Sequence, residues 1–190
     1  MKRVTFKTVE KLFLSGTIQR KLAVCLCMVF VQTAVATATT PRWDFENAYD
    51  NNLPWYKGYN NESAGLAWGE SYVLMALVTM FEATDDPIYL DRLEEHLQAT
   101  HAARDDQRGV SDYRGVSGAC WRDWYYQDEP YCYVGHSGMI AYGFAAYGAA
   151  VRESRLVDHH APDGETYGEK ADRYIGYAEE VVAYHDDQWN

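Results

Sequence analysis

The chain has 190 residues, 17 Lys and Arg against 28 Asp and Glu, a net charge of −11, and 47 % hydrophobic residues. That length suits one domain, alone or behind a removable leader, and the apolar share excludes wholesale disorder. The acidic balance argues against a nucleic-acid partner, because phosphates need a basic face, and four Cys are too few for a disulfide-built scaffold.

The first forty residues read as an export signal. Lys2, Arg3, Lys7, Lys11, Arg20 and Lys21 form a basic region, an apolar run follows from Leu22 to Val31, and small residues at Ala34, Ala36 and Ala38 offer cleavage sites. Even stretched to Ala36 the apolar segment reaches only about 15 residues, short of the roughly 20 that a spanning helix needs. No stable membrane insertion is therefore expected after cleavage. Removal of residues 1–36 takes away six basic and one acidic side chain, leaving 154 residues with 11 basic and 27 acidic groups, a charge of −16. The expected location is secreted or periplasmic. Cys25 and Cys27 leave with the signal, so Cys120 and Cys132 are expected to pair as a disulfide. Cys132 and His136 have a possible metal-ligand spacing, but two further ligands are not evident. Neither a metal nor another cofactor is expected.

Residues 37–63 read as an irregular, aromatic-rich arm, with a formal glycosylation sequon at Asn61-Glu62-Ser63. From 64 to 190 the pattern is helical. The first helix, 64–83, is apolar on almost every side and should be buried all round. Asp85-Asp86-Pro87 ends it and starts the next. That second helix, 87–103, has a stripe of Leu90, Leu93 and Leu97, with Asp91, Arg92, Glu94 and Glu95 assigned to its wet side. A long loop, 104–136, leads to a third helix, 137–151, again apolar all round and rich in small residues. The polar link 158–164 precedes a one-sided fourth helix, 165–184. The alternation predicts an all-α fold of two helical hairpins in an inner and an outer layer. A closed four-helix bundle would want four amphipathic helices. Chain direction puts the arm, the long loop and the tail at one end of the hairpins, where most Trp, Tyr and Arg also fall.

A loop this long inside a domain is uncommon and often functional. It combines aromatic platforms, guanidinium groups, carboxylates and one His, a set that fits carbohydrate better than lipid or nucleotide. Trp68, Tyr113, Trp121, Trp124 and Tyr125 are the candidate sugar platforms. His136 reads as a general base or as a helix-start residue bonded to backbone. Tyr133 reads as an acid or base, or as packing. Arg114 and Arg122 read as neutralisers of a uronate carboxylate or as partners of Asp112 and Asp123, and Asp112 is also a candidate catalytic carboxylate. Glu70, on an apolar helix, needs a partner. It faces either the substrate groove or an Arg of the long loop.

Three segments resemble a known superfamily: Trp68-Gly69-Glu70-Ser71-Tyr72, then Ala83-Thr84-Asp85-Asp86-Pro87-Ile88-Tyr89-Leu90-Asp91, then His136-Ser137-Gly138-Met139-Ile140. They are similar to the helical-hairpin repeats of six-hairpin, α/α-toroid polysaccharide-active enzymes, which include glycoside hydrolases, polysaccharide lyases and the C-terminal domains of glucuronyl epimerases. The resemblance covers residues 64–190 and implies part of such a toroid, two hairpins of six. It implies an exported carbohydrate-active protein, a fragment of a polysaccharide lyase or hydrolase acting on a polysaccharide that can contain uronate, with lyase ahead on residue types. Further C-terminal hairpins, or self-association, would then complete the ring. The alternatives are a non-catalytic carbohydrate-binding or interaction module, and an inactive truncated product.

Overall fold

The computed structural model describes residues 40–52 and 60–188, so the expected signal, 1–36, lies outside the described residues. The chain divides into two units, 1–51 and 52–190. In the first, α1 spans Pro41–Asn52. Proline suits the first turn of a helix because its missing N–H is not needed there, and the Thr40 hydroxyl accepts from Trp43 N at 3.2 Å. Residues 41–52, expected to be irregular, are therefore helical.

In the second unit, Ala64 holds a left-handed φ of 58°. A π-helical turn, Leu66–Glu70, then runs into α2, Ser71–Thr84. α3 spans Ile88–Ala102, the single turn α4 Asp105–Arg108, α5 Val134–Glu153 and α6 Tyr167–Tyr184. A 3₁₀ turn, Asp186–Gln188, follows. Among the described residues there are helices and two isolated bridges but no strands, so the fold is all-α.

Local chemistry makes each reversal. Asp85 takes a left-handed φ of 55°, which Asp tolerates better than most residues, and its N–H caps α2 through Phe81 O at 2.8 Å. Asp86 Oδ1 then accepts from Ile88 N at 3.2 Å to open α3. α6 opens on a capping box: Thr166 N donates to Glu169 Oε2 at 2.8 Å, and Glu169 N to Thr166 Oγ1 at 3.2 Å.

The small residues of α5 permit close helix packing, as the sequence predicts. A Cβ at Gly143 would meet Leu74 Cδ1 of α2 at 2.5 Å, and one at Gly148 would meet Ile175 Cγ1 of α6 at 2.4 Å. α2 and α5 thus pack on each other, while α3 and α6 meet along their outer flank, where Tyr167 Oη donates to Asp91 Oδ1 at 2.7 Å. Leu90, Leu93 and Leu97 are buried as expected. Glu94, expected on the wet side of α3, is buried instead and paired with Lys170 of α6 at 2.5 Å. The expectation that α2 and α5 are buried all round also fails. Trp68, Tyr72 and Met75 on one side, and Tyr142 on the other, are exposed.

The two ends of the hairpins differ as chain direction requires. Trp124 N donates to Glu62 O at 3.0 Å, and Tyr184 lies against Gly118, so residues 60–63, the loop and the tail share one end. At the other end the two links meet through Arg155 and Asp85 at 2.8 Å.

Candidate functional site

The long loop is pinned at several points, and the pins account for most of its charged residues. Asp112 accepts from Arg114 N at 2.9 Å and from Val116 N at 3.3 Å, which closes a tight turn. The Arg114 guanidinium returns to Asp112 Oδ2 at 2.7 Å and lies 4.8 Å from the centre of the Tyr131 ring. Arg122 holds Glu62 Oε1 at 3.1 Å and also donates to Ser111 O. Arg108 reaches the same Glu62 oxygen at 2.8 Å, and Trp124 Nε1 donates to Glu62 Oε2 at 2.6 Å. Burial would raise the Glu62 carboxyl, but Arg108, Trp124 and Arg122 outweigh it and hold it below the usual range. Arg114, Arg122 and Asp112 are therefore loop staples; their charges are spent inside the protein.

A disulfide joins Cys120 to Cys132, with Cα atoms 5.9 Å apart. Next to it, Asp123 and Tyr131 form a bridge of two 3.0 Å backbone hydrogen bonds. Together they clamp the base of a loop whose tip, 124–130, projects Trp124, Tyr125 and Tyr126 outward. Closing this ring stabilises the fold by about 2–3 kcal/mol on the chain-entropy account.

The clamp also fixes a dyad. Asp123 is fully buried, and its Oδ2 lies 2.6 Å from Nδ1 of His136, which is buried in the first turn of α5. Asp123 Oδ1 accepts from Tyr125 N at 2.9 Å. The Asn61 amide donates to Asp123 Oδ2 at 3.3 Å and to Trp121 O at 3.0 Å. Asn61 Oδ1 in turn accepts from Leu66 N and Ala67 N, each at 3.2 Å, capping the π turn. π turns insert an extra residue and often occur at functional sites. Here the turn sends Leu66, Ala67 and Glu70 inward and leaves Trp68 46 % exposed.

A carboxylate on Nδ1 keeps the proton there and leaves the Nε2 lone pair free. His136 Nε2 is buried and has no hydrogen-bond partner among the described residues. Aromatic rings surround it: Trp68 edge-on at 5.6 Å, Tyr126 at 5.4 Å and Tyr133 at 5.5 Å between ring centres. His136 lines an open cleft of about 660 Å³ with Trp68, Tyr126, Tyr131, Tyr133, Met139 and Gln188 among its walls. The Tyr133 hydroxyl also lacks a partner among the described residues. Burial, and then the charge of Asp123, push that phenol above its ordinary value, so it stays a proton donor at neutral pH.

The structure thus brings His136, Tyr133 and Trp68 to one cleft, with Tyr125 at 6.3 Å from His136 on its rim. It leaves other candidates elsewhere. Trp121 is 1 % exposed, stacks on Phe144 and donates to Thr100 O at 2.8 Å, so it is a core residue and no sugar platform. Glu70 faces neither groove nor loop Arg, but pairs in the interior with His96 of α3. Tyr113 is exposed, tilted 41° against Tyr131 outside the cleft wall. Trp124 is exposed but tethered to Glu62. Asn61 is fully buried by its hydrogen bonds, so the folded chain does not present its sequon. Tyr126 in the cleft wall, and Asp123, Asn61 and Glu62 behind it, were not among the candidate site residues read from the sequence. The available signal for Asp123 was an acid between Trp121 and Trp124, thirteen residues before the candidate base.

Beneath the dyad lies a second buried carboxylate. Asp105 Oδ2 is 3.4 Å from Cys132 Sγ and accepts from Arg122 N at 3.1 Å, while Oδ1 has no hydrogen-bond partner among the described residues. Burial pushes its carboxyl up to about 7, against the opposing pull of the Arg122 N–H and the Arg122 and Arg108 charges. The ordinary value is about 4, so between about pH 4 and pH 7 the folded state holds a proton that the unfolded state has lost. This contribution to stability is complete below that window and lost as pH rises through about 7. Asp105→Asn removes it. Urea midpoints at pH 5 and pH 8 should show the wild type losing stability relative to the variant as pH rises, by at most a few kcal/mol. Parallel pH dependence in the two proteins would contradict the assignment.

No helix of the described residues is long and apolar enough to cross a membrane. Comparison with protein-family models, with curated proteins and with solved structures finds no match to this chain.

Proposed function

We propose that this is an exported carbohydrate-active protein that binds a saccharide chain on the aromatic cleft and acts on it by proton transfer. His136 is the general base, oriented by Asp123, and Tyr133 is the proton donor. The observation that carries this reading is the unpartnered, buried Nε2 of His136, a residue that lines the cleft, backed at Nδ1 by a buried carboxylate. A base needs a free lone pair and a fixed tautomer, and these supply both. Half-exposed Trp68, Tyr125 and Tyr126 offer the flat faces on which sugar rings stack. Elimination, as in a polysaccharide lyase, suits a base and an acid in one cleft. Hydrolysis by paired carboxylates has less support, because Asp112 is committed to its turn and Asp123 to His136. The two layered hairpins are read as an arc of an α/α toroid, in keeping with the sequence resemblance.

His136→Ala should lower turnover of a cleaved polysaccharide by about 10²–10⁴-fold while glycan binding, measured by calorimetry, survives. Unchanged turnover would remove His136 from the chemistry. The second reading, a non-catalytic binding module, draws on the outward Trp124, Tyr125 and Tyr126 at the clamped loop tip. It requires that Tyr126→Ala weaken glycan binding and that no saccharide be cleaved.

A further inference from the structure

We infer that the sugar unit processed in this cleft is an uncharged uronic acid ester and not a free uronate; the inference rests on the elimination reading above. In elimination, His136 Nε2 takes the proton from the ring carbon next to the carboxyl group. That C–H pair becomes the new C=C bond, the bond from the neighbouring carbon to the glycosidic oxygen breaks, and Tyr133 gives the departing oxygen its proton. The phenolate left on Tyr133 and the imidazolium left on His136 then return to their starting states by one net proton transfer. The first step builds negative charge on the carboxyl oxygens. A free carboxylate already carries one charge, so its enzyme must supply a cation or an equivalent neutralising group. An ester carries none, and its neighbouring C–H is the more acidic of the two.

The cleft walls match the ester. Among the described residues that line it there is no Arg or Lys. The guanidinium groups of Arg114 and Arg122 in the loop are already paired, Arg114 with Asp112 at 2.7 Å and Arg122 with Glu62 at 3.1 Å. The fixed charge behind the base is negative, because Asp123 lies 2.6 Å from His136. A free uronate would bring a second negative charge towards it with no counter-ion. Rings, Met139 and Val134 instead offer an apolar setting in which an alkyl ester sits at no electrostatic cost.

The test uses the whole mature chain and three polyuronates, of galacturonate, glucuronate and mannuronate, each fully methyl-esterified and fully saponified. Cleavage is read from the ultraviolet absorbance of the unsaturated product. The expected result is kcat/KM at least ~100-fold higher on an esterified polymer than on its saponified form, with the activity lost in His136→Asn. A saponified polymer cleaved as fast or faster overturns the ester assignment and leaves the elimination reading standing. No cleavage of any of the six overturns both.

Discussion

Lys170→Met is expected to lower the unfolding free energy by about 3–5 kcal/mol. Lys170 of α6 is fully buried, and its Nζ lies 2.6 and 2.5 Å from the two Glu94 oxygens of α3 and 2.5 Å from Asp163 Oδ2 in the α5–α6 link. Burial alone would lower the ammonium's proton affinity, but the hydrogen bonds it donates to Asp163 and Glu94 outweigh this, so the group is held above its ordinary value and stays charged. Removing the cation strands Glu94. Asp163, half-exposed, can turn to water, whereas Glu94 is buried and keeps only Gln98 Nε2 at 3.0 Å and a distant Arg173 at 4.0 Å. The loss therefore comes from an uncompensated carboxylate more than from a missing attraction. Lys170→Met combined with Glu94→Leu should recover most of it, because both charges are then gone. Urea midpoints at unchanged slope are the measurement. A single variant within 1 kcal/mol of wild type, or a double variant no better than the single, would show that the pair does not hold the outer flank together. Since domains of this kind have only about 5–15 kcal/mol in hand, the single variant should be visibly close to unfolding at 37 °C.

That pair also marks where sequence reading stops. The main helices, their order and the disulfide were legible, because each rests on local periodicity or on Cys120 and Cys132 being the two Cys of the helical region. Glu94 was misassigned by its charge, although it stands four residues after Leu90 and three before Leu97, on the stripe it was assigned away from. Spacing was the better guide. Tyr133 and His136 stood out as residue types, but the dyad and its support did not, because they join three separate segments: Asp123 meets His136 across 13 residues, and Asn61 meets Asp123 across 62. The arginines failed for the converse reason. Arg114 and Arg122 look available until Asp112 and Glu62 are seen to hold them, and only the first pairing is local enough to read. Trp121 looked like its neighbour Trp124, yet one step along the chain carries it from the loop surface into the core against Phe144.

The exposed stripe on α2 and α5 follows from the same hairpin packing. Each of these helices buries one side against its hairpin partner and another against the other, α2 on α5. A third side, with Trp68 of the π turn and Tyr72 and Met75 of α2, remains open to solvent. Its upper end is the cleft wall at Trp68.

The largest effect on the chemistry is expected from Asp123→Asn, which keeps the shape of the side chain and removes the charge. Asp123 Oδ1 accepts from Tyr125 N at 2.9 Å, and its Oδ2 faces two donors, His136 Nδ1 at 2.6 Å and Asn61 Nδ2 at 3.3 Å. An asparagine has one oxygen. If that oxygen keeps the Tyr125 bond, its NH₂ points at the Asn61 amide and at the Nδ1–H of His136, and donors meet donors. Moving the imidazole proton to Nε2 relieves the clash, but then the lone pair leaves the cleft. The expected fall in kcat/KM is about 10²–10⁴-fold with KM little changed, since Asp123 does not line the cleft. The effect should not add to the loss of the base: His136→Asn with Asp123→Asn is expected to be no slower than His136→Asn alone. One readout needs no substrate. ¹⁵N spectra of His136 should report a proton on Nδ1 in the wild type and on Nε2 in the variant. If the tautomer stays on Nδ1 while activity is lost, the carboxylate acts through its charge; if both are unchanged, Asp123 is a loop anchor and the dyad has no part in the chemistry.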